Sequence, residues 1–118
     1  MEDNFERQRE RQLFALQAEL CQTLADPTRL EMLYLLGQRP RLVKELAEAT
    51  GQRQAKISQH LAVMRQRGIV RAERHGTEIE YSLADARILD ACAATRALLL
   101  DRLARQAELV GLGPRAEG

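Results

Sequence analysis

Aromatic side chains are scarce in this chain: two Phe, two Tyr and no Trp among 118 residues. Its core must therefore be built from Leu, Ala, Val, Ile and Met. Cysteine is also rare, and Cys21 and Cys92 are too few and too far apart to form a disulfide scaffold. No apolar run approaches the roughly 20 residues needed to span a bilayer. The first ten residues are too polar and charged for a signal peptide. Together these absences lead us to expect a cytosolic protein with reduced thiols and no membrane partner. No Ser/His/Asp triad, paired carboxylates or Gly-rich phosphate loop occurs at a plausible spacing, so an enzyme is not expected. Internal repeats and low-complexity segments are absent too.

The length fits one domain, 1–118, with material for one core and not two. A long-helical protomer of this size often completes its core by dimerising. The net charge of +1 conceals an uneven distribution. From Arg39 to Glu78 there are nine Lys or Arg against four Glu, a local +5, so the flanking segments together carry −4. A basic centre between acidic flanks suits phosphate contact through one module, with a solvated Arg-rich surface as the alternative.

Residues 5–24 read as a helix, with Leu13, Leu16, Leu20 and Leu24 on one stripe and Phe14 and Cys21 beside it. Asp26 is a good N-cap and Pro27 a good first helical residue for a second helix. That helix carries Leu30, Leu33 and Leu36 and ends at Gly37. A short helix over 42–50 turns Leu42, Leu46 and Ala49 inward, and Gly51 makes the turn. The next helix runs from Gln54 to about Arg67, with Ile57, Leu61 and Met64 facing the core and Gly68 stopping it. Residues 69–73 begin a strand, Arg74-His75-Gly76-Thr77 supplies a turn, and Glu78 to Leu83 return with strict alternation. Asp85 can cap a last long helix, 85–110, whose stripe is Ile88 or Leu89, Cys92, Thr95, Leu99, Leu103, Gln106 and Val110. Residues 111–118 read as a frayed tail.

The order is a helix pair, then a hairpin: mainly α with a small β-hairpin, a winged helix-turn-helix. Two helices joined by a tight turn place the second across the DNA major groove, where base edges present donors and acceptors. Gln54, Lys56, Ser58, Gln59 and His60 supply matching groups. For His60, packing at the helix flank is an equal alternative, and Gln54 and Gln59 also suit ordinary solvated positions. Phosphate contacts are expected from Arg41, Arg53, Lys56, Arg65 and Arg74. In the wing, 71–80, Arg74 and His75 suit the minor groove or backbone, although His75 also serves as a turn residue.

Three segments in this order resemble the ArsR/SmtB family: Leu24 to Leu30, Gln54 to Arg65, and the hairpin from Gly68-Ile69-Val70 to Tyr81-Ser82-Leu83. The resemblance covers roughly residues 12–106. It implies a prokaryotic homodimeric repressor whose first and last helices, 5–24 and 85–110, pair across the dimer axis, leaving 42–83 as the DNA-reading module. It also implies an imperfect inverted-repeat operator, with release by a metal ion or another chemical signal. Family members often carry Ser at the position of Arg53; Arg cannot cap a helix in that way, which costs about 1 kcal/mol, but it can add a phosphate contact.

The family's best-known metal site is a Glu-Leu-Cys-x-Cys run, and Glu45-Leu46-Ala47-Glu48-Ala49 here lacks both thiolates. A second family site uses Asp, His and Glu of the last helix, which here has no His. No metal site is therefore assigned, and a zinc-type sensor is not expected. Cys21 and Cys92 remain, on the two helices the resemblance places at the dimer interface. They are read as inert core thiols, as a redox or persulfide switch, or as ligands for a soft ion such as arsenite. Arg96, one turn beyond Cys92, could lower its pKa. In thiol-switch members the cysteines lie at the position of Tyr34 and on the last helix, a pattern matched by Cys92 and not by Cys21. A winged-helix module that binds protein instead of DNA is the rival from another class; the basic centre and the polar face of 54–67 argue against it.

Overall fold

The computed structural model describes residues 2–111. It divides into two compact units, one reaching to Asp85 and the other beginning at Ala86. Apart from Gly111, the expected frayed tail lies outside the described residues.

The first unit runs α1 (Glu2–Thr23), α2 (Pro27–Gln38), β1 (Arg41–Leu42), α3 (Val43–Thr50), α4 (Gln54–Gln66), β2 (Val70–His75) and β3 (Glu78–Leu83). Helix α2 starts as its sequence dictates. Asp26 is extended, with φ −148°, and its Oδ1 accepts a hydrogen bond from Arg29 N at 3.0 Å. Pro27 sits in the first turn, where its missing N–H is harmless. Gly37 does not end the helix; α2 continues to Gln38 and stops at the extended Arg39. Helix α3 is tied at its start by Glu45, whose Oε1 accepts from Leu42 N at 2.9 Å. It closes on Gly51 at φ +71°, a left-handed conformation that a side chain would strain. Arg53 occupies the N-cap of α4 and makes no side-chain capping bond, as its chemistry requires.

The sheet has three antiparallel strands in the order β1–β3–β2. Strand β1, not anticipated from sequence, pairs Arg41 with Tyr81 and Leu42 with Glu80. The hairpin ladder runs from Val70↔Leu83 to His75↔Glu78. Its turn is therefore Gly76-Thr77 alone; Arg74 and His75 belong to β2. Gly76 at φ +65° gives the turn the backbone that a two-residue hairpin loop needs.

The core lies wholly between α2 and β2. Met32, Leu33, Leu46, Ile57, Leu61 and Met64 are fully buried, with Leu36, Ala47, Ile69 and Val70 around them. Each such large side chain removes apolar area worth about 1.5–3 kcal/mol from water. Leu30 and Ala49, expected inward, are exposed; Met32 and Ala47 take the buried places. In α1 Thr23 is buried, while Phe5, Leu13, Phe14, Leu16 and Leu20 are exposed.

The second unit is α5 (Arg87–Leu109). Its N-cap position falls on Ala86 and not on Asp85. None of its described residues is buried, and Leu98, Leu99, Leu100, Leu103 and Leu109 are all at least half exposed.

Candidate nucleic-acid interface

Helix α4 buries Ile57, His60, Leu61 and Met64, the i, i+3, i+4, i+7 set of one face. The opposite face is exposed and polar. Gln54, Lys56, Ser58 and Gln59 all lie on the solvent side, with Arg53 at the helix start and Arg65 in its last turn. Ala55 and Ala62 are exposed between them. Sequence reasoning passed over both because they carry no hydrogen-bonding group; helical spacing alone puts them on the line of Gln59.

Of the two readings open for His60, the structure takes packing at the helix flank and corrects its place among the DNA contacts. It is 8% exposed and turned into the protein. Arg29 Nε donates to His60 Nδ1 at 3.0 Å, and the same guanidinium donates through Nη1 to the Thr23 carbonyl at 3.1 Å. The imidazole completes the buried set begun by Ile57, so it cannot also face a base.

Several cations of the basic centre are neutralised within the chain. Arg39 pairs with Glu45 at 2.7 Å, Lys44 with Glu78 at 3.0 Å and Arg67 with Glu19 at 2.8 Å. The hydrogen bond from Arg39 holds the Glu45 carboxyl below its ordinary range, and the Glu78 carboxylate raises the Lys44 ammonium. Among the described residues, Arg53, Lys56, Arg65, Arg71 and Arg74 have no ion-pair partner and are exposed. These five carry the outward positive charge. Arg71 is the one that sequence reasoning did not select. Arg41, expected on a phosphate, is half-buried and donates to Leu35 O at 3.3 Å and to Gln38 Oε1 at 2.7 Å. Its guanidinium fastens β1 to the end of α2.

The wing does not present Arg74 and His75 together. Strand alternation puts them on opposite faces. The face of His75 also carries Glu73, Glu78 and Glu80 through the pairs Glu73↔Glu80 and His75↔Glu78. His75 Nε2 lies 3.8 Å from Glu73 Oε2 and 3.6 Å from Glu80 Oε1. Arg74 shares its face with Ile79 and Tyr81.

Cys21 is exposed and Cys92 half-buried. Burial pushes the Cys92 thiol up, and Arg96 does not offset it, so Cys92 is held further from thiolate than a free cysteine. No three His, Cys, Asp or Glu side chains gather into a metal-ligating group among the described residues.

Residues 26–72, which hold α2, α3, α4 and the start of the wing, match the model of the bacterial regulatory protein, arsR family. The chain is 40% identical over 88 residues to the uncharacterized HTH-type transcriptional regulator Rv0081 of Mycobacterium tuberculosis, covering 74% of this chain and 77% of that protein. The crystal structure of Rv0081 superposes with a TM-score of 0.73 over 80% of this chain and 96% of that one. The homodimeric winged helix-turn-helix DNA-binding domain of Mb0332 from Mycobacterium bovis, 30% identical, gives the same TM-score over 82% of this chain and 90% of that one. A probable mercury resistance operon repressor of Streptomyces lividans is 36% identical over 87 residues, 74% of this chain and 70% of that protein. With its helix pair, its three-stranded wing and its exposed cationic helix, this chain belongs to the arsR family of bacterial regulatory proteins and is a winged helix-turn-helix DNA-binding transcriptional regulator.

Proposed function

We propose that the chain is a homodimeric repressor that reads an imperfect inverted repeat with one α4 in each half-site. The observation that carries this reading is the outward face of α4: hydrogen-bonding side chains in the middle, unpaired cations at both ends, and no acidic residue anywhere along the helix. Ser58, Gln59 and Gln54 suit base edges, and a Gln amide can pair bidentately with adenine. Ala55 and Ala62 suit thymine methyl groups. Arg53, Lys56, Arg65, Arg71 and Arg74 suit phosphates, whose neutralisation makes affinity salt-dependent. His60 and Arg41 are left out of this set because both are committed to contacts within the chain. His75 stays a wing-tip contact secondary to Arg74, since two carboxylates lie beside it.

The dimer reading rests on the apolar side chains that α1 and α5 each leave exposed and on the homodimeric state of the Mb0332 domain. For the release signal, relatives named for mercury and arsenical resistance operons point to soft ions, for which Cys21 and Cys92 are the chain's only thiols. Oxidation or persulfidation of the same pair is the other chemistry they allow; the protonated Cys92 favours Cys21 as the first thiol to react.

Fluorescence anisotropy of a duplex carrying the gene's own upstream region tests the reading. Reduced protein should bind tightly, and Gln59→Ala should relax sequence preference. Arg74→Ala should weaken all duplexes alike and lower the salt slope by about one per protomer. Arsenite or a persulfide donor should release the duplex, and Cys21→Ser or Cys92→Ser should abolish the response. Equal, weak affinity for every duplex would refute operator reading and favour a protein-binding module.

A further inference from the structure

The recognition helix is fastened to the corner between α1 and α2 by polar links. At its C-terminal end Arg67 pairs with Glu19 of α1 at 2.8 Å. In its middle, His60 accepts from Arg29 of α2, which in turn holds the last-turn carbonyl of Thr23 in α1. An arginine side chain is always a donor, so Nδ1 of His60 must offer a lone pair and its proton must sit on Nε2. That Nε2 is buried and has no hydrogen-bond partner; Asp26 Oδ1 is 3.9 Å away. One base-facing helix is thus positioned by a bond that exists only while an enclosed imidazole is neutral.

We propose that Arg29 and His60 are positioning residues for DNA reading, and that a proton taken up by His60 releases α4 from the α1–α2 corner and lowers operator affinity. This rests on the DNA-reading role argued above. Protonation gives Nδ1 a hydrogen that points at the Arg29 Nε–H, replacing a donor–acceptor pair with two donors and two positive charges. Asp26, at the N-cap of α2, is the carboxylate that faces the imidazole; Arg29 from α2 and Lys56 from α4 itself are the cations, and α1 contributes only the Thr23 carbonyl that anchors Arg29. Asp26 favours the charged form through its charge alone, because its Oδ1 stands 3.9 Å from Nε2, beyond hydrogen-bond reach. Burial and the two cations outweigh it and lower the His60 pKa from its ordinary value. The bond is therefore intact at neutral pH, and the switch works on the acid side.

The test is operator binding by the full chain at about pH 8, above the ordinary histidine value, and at a pH below the point where the Arg29 Nε–H signal is lost. Three proteins are compared: the unaltered chain, His60→Asn and Arg29→Met. Asparagine Oδ1 can stand where Nδ1 does and accepts without titrating. The unaltered protein should lose about ten- to a hundredfold more affinity on acidification than His60→Asn, the size expected for one hydrogen bond to a charged group. His60→Asn should match it at the higher pH. Arg29→Met should be weakened at both values with a flattened pH response. The NMR signal of the Arg29 Nε–H, followed without DNA, should be sharp and slow to exchange above the imidazole pKa and lost below it. It should survive acid in His60→Asn. Parallel acid losses in the unaltered protein and His60→Asn would overturn the positioning role. An unaltered chain that shows the Nε–H transition yet binds no operator at the higher pH would instead overturn the DNA-reading role, leaving a proton-sensitive clamp with another purpose and refuting its link to affinity.

Discussion

At the scale of single residues, chemistry and address pull apart. His60, Gln59 and Ser58 are all polar neighbours on one helix, yet only His60 is enclosed. The deciding signal is its place three residues after Ile57 and one before Leu61, which puts it in the apolar register whatever its own polarity. Residue type alone left the DNA face and the helix flank equally open, and nothing in the sequence announces Arg29 as its partner, because that contact joins positions 31 apart. Asp26, by contrast, was legible, since its role is local. Asp26→Ala should cost about 1 kcal/mol of stability, measured by urea unfolding at neutral pH. The two groups shift in the same direction and titrate in different windows. The Asp26 carboxyl is held below its ordinary 3.8, chiefly by the Arg29 backbone N–H. Its contribution is complete above that value and is lost as pH falls through the lowered one. His60 is lowered from 6.5. The unfolded chain binds that proton first, so stability begins to fall below 6.5 and levels off once the folded imidazole is itself charged. A stability–pH curve should therefore decline in two stages, and His60→Asn should remove the upper one.

At the scale of elements, Arg53 separates two properties that usually move together. Arg53→Ser would supply the missing N-cap of α4 and should raise stability by about 1 kcal/mol. The same change removes an unpaired cation from the start of the helix, so operator affinity should fall while the melting temperature rises; a thermal melt and an anisotropy titration on one sample check both. The hairpin has a similar single point of control. Gly76→Ala forces a side chain into φ +65° and should cost about 1–2 kcal/mol, read as a lower melting temperature with the wing's amide protons exchanging faster. Helices α2 to α4 were legible because caps, glycine stops and 3.6-residue spacing are all local signals. Strand β1 was not: two residues have no periodicity, and what makes them a strand is their pairing with Glu80 and Tyr81 far along the chain. The wing turn was placed two residues too early because Arg74 and His75 are compatible with turn and strand alike, and only the ladder to Ile79 and Glu78 decides. In the same way Leu30 and Ala49 satisfy a helical stripe, but the neighbours each helix meets select Met32 and Ala47.

At the scale of the whole molecule, the buried hydrophobic side chains among the described residues run from Met32 to Val70, all within the first unit, and α1 adds the buried Thr23. Most of the exposed large apolar residues fall on α1 and α5, and α2 adds Leu30 and Tyr34. Leu16→Glu in α1, a site 62% exposed in the single chain, should leave the melt of the reading module nearly unchanged, halve the mass seen by sedimentation equilibrium, and weaken operator binding by about a hundredfold or more, because two linked half-sites become one. A dimer whose core collapses with that change would show the two properties to be inseparable. If they do separate, gene control inherits a particular arithmetic. A protomer that is already folded by itself can accumulate as a competent single copy, and the dimer that fills an operator then grows as the square of its concentration until association saturates. Halving the supply of protein would reduce occupancy about fourfold in that regime. Under that outcome, a core confined to the first unit turns a gradual change in the amount of protein into a steeper change in operator occupancy.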